Sequence, residues 1–316
     1  MLDLIGTYRR IALIGMAKNA GKTTVLNHII KTIASEYQLA ITSIGFDGEE
    51  LDHIYQTKKP KIEVISGMLF ATTKDALKDS TMDYDIIKEL PITTAMGAVV
   101  IGVAKSIGTV QLTGPSRKLE LEQLNQEFVT LGAEKILLDG AFGKLMQADH
   151  TLVDACILAT GASYSTDIKK LVHDTLYIAN LFDCAKLHHF NGTLNVLRIE
   201  SALTNEFHNQ FILDQDTSMI ELKGACTDSF VTFVMKQKHN HQPLTILLEN
   251  PTYYFVDERI AKLASAKQIR FAFKYIPKLL AITINPLHPS GVLLDKDELK
   301  HAFMHVTSIP IINVCE

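Results

Sequence analysis

Short apolar runs and helical periodicities alternate from the start of the chain. Arg10-Ile-Ala-Leu-Ile14 suits a strand buried on both faces, a glycine-containing loop follows, and Val25, Leu26, Ile29, Ile30 and Ile33 then recur at helical spacing over 22–37. Leu39-Ala-Ile-Thr-Ser-Ile44 returns to a strand pattern. The result is a βαβ unit, whose right-handed crossover puts the first loop at the carboxyl edge of the sheet, where open α/β folds bind ligands.

The pattern changes over 60–113. Short strand-like runs at 62–64, 68–71, 98–104 and 109–112, separated by turn residues, predict a partly antiparallel β insertion. Ser116 is placed to cap a helix that runs to about Leu131 and ends at Gly132. Lys135-Ile-Leu-Leu-Asp139 and Ala155-Cys-Ile-Leu-Ala159 are the next buried strands, and a helix follows over 166–179. The second half carries strand patterns at 194–199, 244–248, 279–284 and 309–314, with helical patterns at 228–237, 257–266 and 297–305. These predict a second, smaller α/β domain over 187–316, after a linker near 186–192, with the first domain spanning 1–186.

The segment between the first strand and the first helix, Ile14-Gly-Met-Ala-Lys-Asn-Ala-Gly-Lys-Thr-Thr24, carries the most chemical information. A polyphosphate is well solvated, so a protein must replace its water with several directed donors at once, and a helix N terminus supplies them. Here successive main-chain N–H groups of the loop and first turn, through Ala20, Gly21, Lys22, Thr23 and Thr24, would converge on phosphate oxygens. The Lys18 side chain would contact phosphate from its own or a neighbouring subunit, or simply face solvent, and the Asn19 side chain would hold the loop shape by a bond to the backbone. Lys22 would reach the β and γ oxygens, and the Thr23 hydroxyl would take a Mg²⁺ position. The pattern G-x-x-x-x-G-K-[ST] asks for glycine where Met16 stands, with Gly15 one place early, so the motif is degenerate and its strand–loop–helix setting carries the reading. The fold predicted is therefore α/β with a mostly parallel sheet of the P-loop NTPase type.

Two carboxylates fall where phosphate chemistry needs them. Asp139 ends a buried strand, in the Walker B arrangement that coordinates Mg²⁺ directly or through water. Asp47, just past the second strand in Phe46-Asp-Gly-Glu-Glu50, would orient an attacking water or touch the metal, although Asp-Gly is also a plain turn signal. Lys22, Asp47 and Asp139 are thus the candidate catalytic residues, and Thr23, Asp47 and Asp139 the candidate metal ligands. Asn285-Pro286 follows a strand and reads as a rigid turn at a sheet edge, facing a partner or simply turning the chain. His188, His189, His239 and His241 lie in polar stretches without further ligands at metal spacing.

Length and composition narrow the classes. A chain of 316 residues suits two domains, and 47% hydrophobic with 21% charged residues is ordinary for a globular protein. Lys and Arg number 31 against 35 Asp and Glu, a net charge of -4, which argues against a sequence-independent nucleic-acid clamp. Any phosphate would be held locally. The longest apolar stretch, at 98–104, falls far short of the ~20 residues of a membrane span. The basic pair Arg9-Arg10 follows an apolar run, the reverse of a secretory signal, so a cytoplasmic location is expected. The four cysteines are scattered without a CxxC pair, as reduced thiols would be.

Residues 11–24, Phe46-Asp-Gly-Glu49, Leu137-Leu-Asp-Gly-Ala141, Leu158-Ala-Thr-Gly-Ala-Ser163 and Ile284-Asn-Pro286 together resemble the ATPase subunit of the lysine 5,6-aminomutase reactivases. The resemblance implies use of ATP to help a cobalamin-dependent aminomutase exchange damaged cofactor, with Lys22, Thr23 and Asp139 as nucleotide and Mg²⁺ residues. No Asp-x-His-x-x-Gly signature is present, so any cobalamin would sit on the partner. A small-molecule kinase or ATP-dependent ligase with Asp47 as base is the alternative, and a nucleotide-binding switch without catalysis a third. No Asn-Lys-x-Asp motif distinguishes GTP from ATP.

Overall fold

The computed structural model describes residues 2–45, 61–140, 152–183, 195–202, 213–214, 216–238 and 242–313. Asp47, the 186–192 linker and His188, His189, His239 and His241 lie outside them. The chain is mixed α/β with a mostly parallel central sheet, and it divides into two compact units. One comprises the described residues up to Gly140, those from 152 to Leu176, and those from Pro277 on; the other comprises those between Tyr177 and Ile276.

The first unit opens with a helical turn, α1 (Leu2–Ile5), followed by β1 (Arg10–Gly15), α2 (Lys22–Ile33) and β2 (Leu39–Ile44). Every residue of β2 and the four central residues of β1 are buried, as expected of strands covered on both faces. In α2 the periodic residues Val25, Leu26, Ile29, Ile30 and Ile33 are all buried. Each contributes about 1.5–3 kcal/mol by leaving water.

The insertion comprises β3 (Ile62–Val64), β4 (Leu69–Thr73), β5 (Tyr84–Thr94), β6 (Gly97–Ala104) and β7 (Gly108–Val110). β4 joins β2 in parallel, while β4–β6, β5–β6 and β3–β7 are antiparallel. The insertion therefore extends the main sheet on one side. Strand β5 is missing from the hydrophobic pattern because it is an edge strand. Ile86 and Ile87 face solvent, and Pro91 removes a ladder donor, which an edge tolerates.

Next come α3 (Lys118–Thr130), β8 (Lys135–Gly140), β9 (Ala155–Gly161) and α4 (Ile168–Asn180). Ser116 does not cap α3: Arg117 holds the N-cap position, with no side-chain cap bond. The C terminus is as expected, with Gly132 at φ 89° and Gly132 N and Ala133 N donating back to Val129 O and Phe128 O.

The second unit contains β10 (Val196–Ile199), β11 (Met219–Leu222), β12 (Cys226–Thr227), α5 (Asp228–Gln237), β13 (Leu244–Leu248), β14 (Tyr254–Phe255), α6 (Glu258–Ala266) and β15 (Ile269–Phe273). Strands β10, β11, β13 and β15 form a parallel four-stranded sheet. β11 and β15 escape the sequence pattern because each short run holds a charge, Glu221 or Arg270. Glu221 is tolerated by pairing with Lys274 and Arg198.

The chain then returns to the first unit with β16 (Lys278–Asn285), α7 (Lys296–Met304) and β17 (Ile311–Asn313). β16 lies parallel to β9, and β17 parallel to β16. The sequence groups both strands with the 187–316 domain, because hydrophobic periodicity encodes a buried strand but not the sheet that receives it. The completed nine-stranded order is β17-β16-β9-β1-β8-β2-β4-β6-β5.

Candidate functional site

Parallel pairing brings the carboxyl ends of five strands to one edge. In register, Gly15 lies opposite Ala159, Ser43 opposite Asp139, Ile44 opposite Gly140, and Gly161 opposite Asn285. The loop between β1 and α2 leaves this edge at its centre, with β8 on one side and β9 on the other.

The loop is braced from the β9 side. Met16 N donates to Ala159 O at 2.9 Å. Asn19 and Gly21 adopt left-handed backbone, at φ 60° and 93°, which asparagine and glycine accept best. Asn285, at the end of β16, donates from Nδ2 to Asn19 O at 3.3 Å. A Cβ on Gly21 would stand 3.4 Å from the Asn285 Cβ. The methyls of Ala17 and Ala20 are buried, Met16 is half-buried and Lys18 is exposed.

Lys22 is buried at the first turn of α2 and folds back along the loop. A Cβ on Gly15 would lie 2.9 Å from its Nζ. Gly21, the N-cap residue, offers α2 no side-chain cap bond. Thr23 and Thr24 in the same turn are half-buried.

On the β8 side, Asp139 is half-buried and its Oδ1 accepts from Gly140 N at 2.9 Å. The neighbouring Ser43 donates from Oγ to Gly45 O at 3.0 Å. Gly45 N donates to Pro115 O, and Gly114 N to Gly45 O. Gly114 presses so close that a Cβ there would stand 1.7 Å from Ser43 O. Adjacent Thr113 is fully buried, and its hydroxyl has no hydrogen-bond partner among the described residues.

Lys22, Thr23 and Asp139 thus stand at one sheet edge, while Asp47 lies outside the described residues. Sequence reasoning missed the roles of Asn285 and of Gly114. Asn285-Pro286 was visible as a turn, but its proximity to the 15–21 loop depends on the β9–β16 register, a tertiary fact. Among the described residues, no group of three or more His, Cys, Asp or Glu is arranged to hold a metal ion. Mg²⁺ is commonly held by one or two carboxylates together with substrate phosphates, which needs no such group. Among the described residues no helix is long and apolar enough to cross a membrane. Cys156 and Cys226 are buried free thiols, with burial pushing both above the usual range.

Compared with known proteins, the chain matches no protein-family model, no curated protein and no solved structure.

Proposed function

We propose that the chain binds ATP at the 15–21 loop and is an ATPase that remodels or reactivates a partner enzyme. The observation that carries this reading is the juxtaposition of three features at one sheet edge. These are a helix start without a side-chain cap, a buried Lys22 folded along the preceding loop, and Asp139 on the strand beside β1. A helix N terminus and a lysine ammonium suit a polyanion.

The residues fit ATP and Mg²⁺ in the following way. Main-chain donors of 18–24 and the Lys22 ammonium would hold phosphate oxygens, while the Thr23 hydroxyl and the Asp139 carboxylate would hold the metal. Bound there, Mg²⁺ would neutralise charge on the phosphates. Asp47 keeps its proposed role of orienting water. Met16, where the motif has glycine, is a residue with negative φ in a loop whose left-handed turns fall at Asn19 and Gly21. The loop therefore makes its bend without glycine at that place. A cobalamin-dependent aminomutase is the client that the motif resemblance suggests, and the fold is then of the P-loop NTPase type.

Calorimetric titration of the full chain with ATP and Mg²⁺ tests the reading, with saturable binding expected. Absence of heat at millimolar nucleotide, with GTP as well as ATP, would overturn it. Phosphate release stimulated by an aminomutase supports the remodelling role. Transfer of labelled γ-phosphate to a metabolite would favour the kinase or ligase alternative instead.

A further inference from the structure

Asn285 binds three loops at once. Its Nδ2 holds Asn19 O in the 15–21 loop, its main-chain O accepts from Ala162 N in the 161–165 loop at 2.8 Å, and its Oδ1 accepts from Leu287 N at 3.1 Å. Both neighbours come close. A Cβ on Gly161 would lie 2.0 Å from Asn285 O, and one on Gly21 would meet the Asn285 side chain. The 286–294 loop is itself well tied. His288 N donates to Val292 O, Gly291 N to His288 O and Leu294 N to Pro286 O, while His288 Nδ1 and Ser290 Oγ stand 2.6 Å apart. A segment so cross-linked shifts as a body when its anchor shifts. It also carries the exposed side chains of Leu287, Val292 and Leu293.

Resting on the nucleotide reading above, we propose that Asn285 is a positioning residue that holds the 15–21 loop in its nucleotide-accepting shape and communicates its occupancy to the 286–294 loop. The physical basis is that one amide joins both loops. Its donor end fixes a carbonyl at the left-handed turn of the 15–21 loop, and its acceptor end fixes the first N–H of the 286–294 loop. Rigidifying one end restrains the other.

Two substitutions separate the two ends. Asn285→Asp keeps an acceptor for Leu287 N but loses the donor to Asn19 O, and Asn285→Ala loses both. Neither touches the main-chain bond to Ala162, and a thermal melt of each variant checks the fold. ATP–Mg²⁺ affinity and hydrogen exchange over 286–294 are measured on the full chain and on both variants. Wild type is expected to bind ATP and to slow exchange over 286–294 on doing so. Asn285→Ala should bind about five- to tenfold more weakly, in line with loss of one hydrogen bond, Asn285→Asp more weakly still because its carboxylate also repels the phosphates, and in both ATP should no longer slow that exchange. Without nucleotide, Leu287 N should stay protected in Asn285→Asp and exchange faster in Asn285→Ala. Folded variants that bind ATP as tightly as wild type, with nucleotide-dependent protection intact, would overturn the proposal while leaving the nucleotide reading standing. A wild-type chain that binds no nucleotide would overturn both.

Discussion

The main-chain N–H and the guanidinium of Arg10 both close on the carboxylate of Asp154, at 2.8 Å to Oδ2 and 2.5 Å to Oδ1. The two residues stand at the amino ends of the neighbouring strands β1 and β9, opposite the edge from which the 15–21 loop departs. The pair therefore fixes the register that brings Gly15 against Ala159.

Burial pushes the Asp154 carboxyl up, but the Arg10 side-chain and main-chain bonds outweigh it and hold the group below its ordinary value. A carboxylate depressed in the folded state contributes stability that is present above its unfolded pKa and is lost as pH falls through the folded one. Replacing Asp154 with Asn should lower unfolding free energy at neutral pH by about 1–2 kcal/mol, and should flatten its decline below about pH 4. Urea midpoints across pH measure both effects. An unchanged midpoint with an unchanged acid limb would show that Arg10 does not rely on this carboxylate.

Gly114→Ala should be the most damaging single methyl in the first unit. Its Cβ would lie 1.7 Å from Ser43 O and 2.8 Å from the Ser43 carbonyl carbon, both backbone atoms of a fully buried strand. No flexible tip can move aside. A loss of about 3 kcal/mol or more is expected, read as reduced soluble yield or a lowered denaturant midpoint. Near-wild-type stability would mean that the 113–115 segment can lift from β2.

The strands that hold the candidate site were legible because each is a short apolar run closed by a polar or glycine residue. β1, β2, β8 and β9 stand within two residues of their predicted bounds. The placement of Lys22, Thr23 and Asp139 at one edge was legible for the same reason, since strand ends and helix starts share one edge in parallel sheets. Asn285 and Gly114 were not. Their contacts are to segments 266 and about 70 residues away along the chain, and local periodicity carries no such pairing. β11 and β15 were hidden by Glu221 and Arg270, charges that an ordinary strand template rejects and that exposure or ion pairing permits. The antiparallel edge strand β5 was hidden because half of its apolar residues face water.

Gly15 and Lys22 offer a paired test of the proposed phosphate site. In Gly15→Ala the new methyl meets chiefly the tip of the Lys22 side chain, at 2.9 Å from Nζ, with Ala17 O at 3.3 Å. A flexible side chain gives way easily, so stability should change by less than about 1 kcal/mol. The ammonium would nevertheless leave its place over the loop, and ATP affinity should fall. Lys22→Ala removes the charge altogether and should weaken binding by about a hundredfold or more, as loss of charge-assisted bonds to phosphate implies. Calorimetry beside a thermal melt separates the two effects. Full affinity in Lys22→Ala would mean that the loop does not grip phosphate.

Asp139→Asn separates the proposed metal coordination from the proposed nucleotide binding. The amide oxygen can still accept from Gly140 N, so the strand end should keep its shape, and the side-chain volume is unchanged. What is lost is the negative charge that a hard divalent cation prefers. ATP should then bind with an affinity that no longer rises on adding Mg²⁺, whereas in wild type it should rise. Phosphate release, measured with a stimulating client, should fall by about a hundredfold or more, because a cation held off the phosphates no longer neutralises the charge that develops in transfer. If the variant keeps both its Mg²⁺ dependence and its turnover, then the metal is held by other groups and Asp139 serves only to end β8.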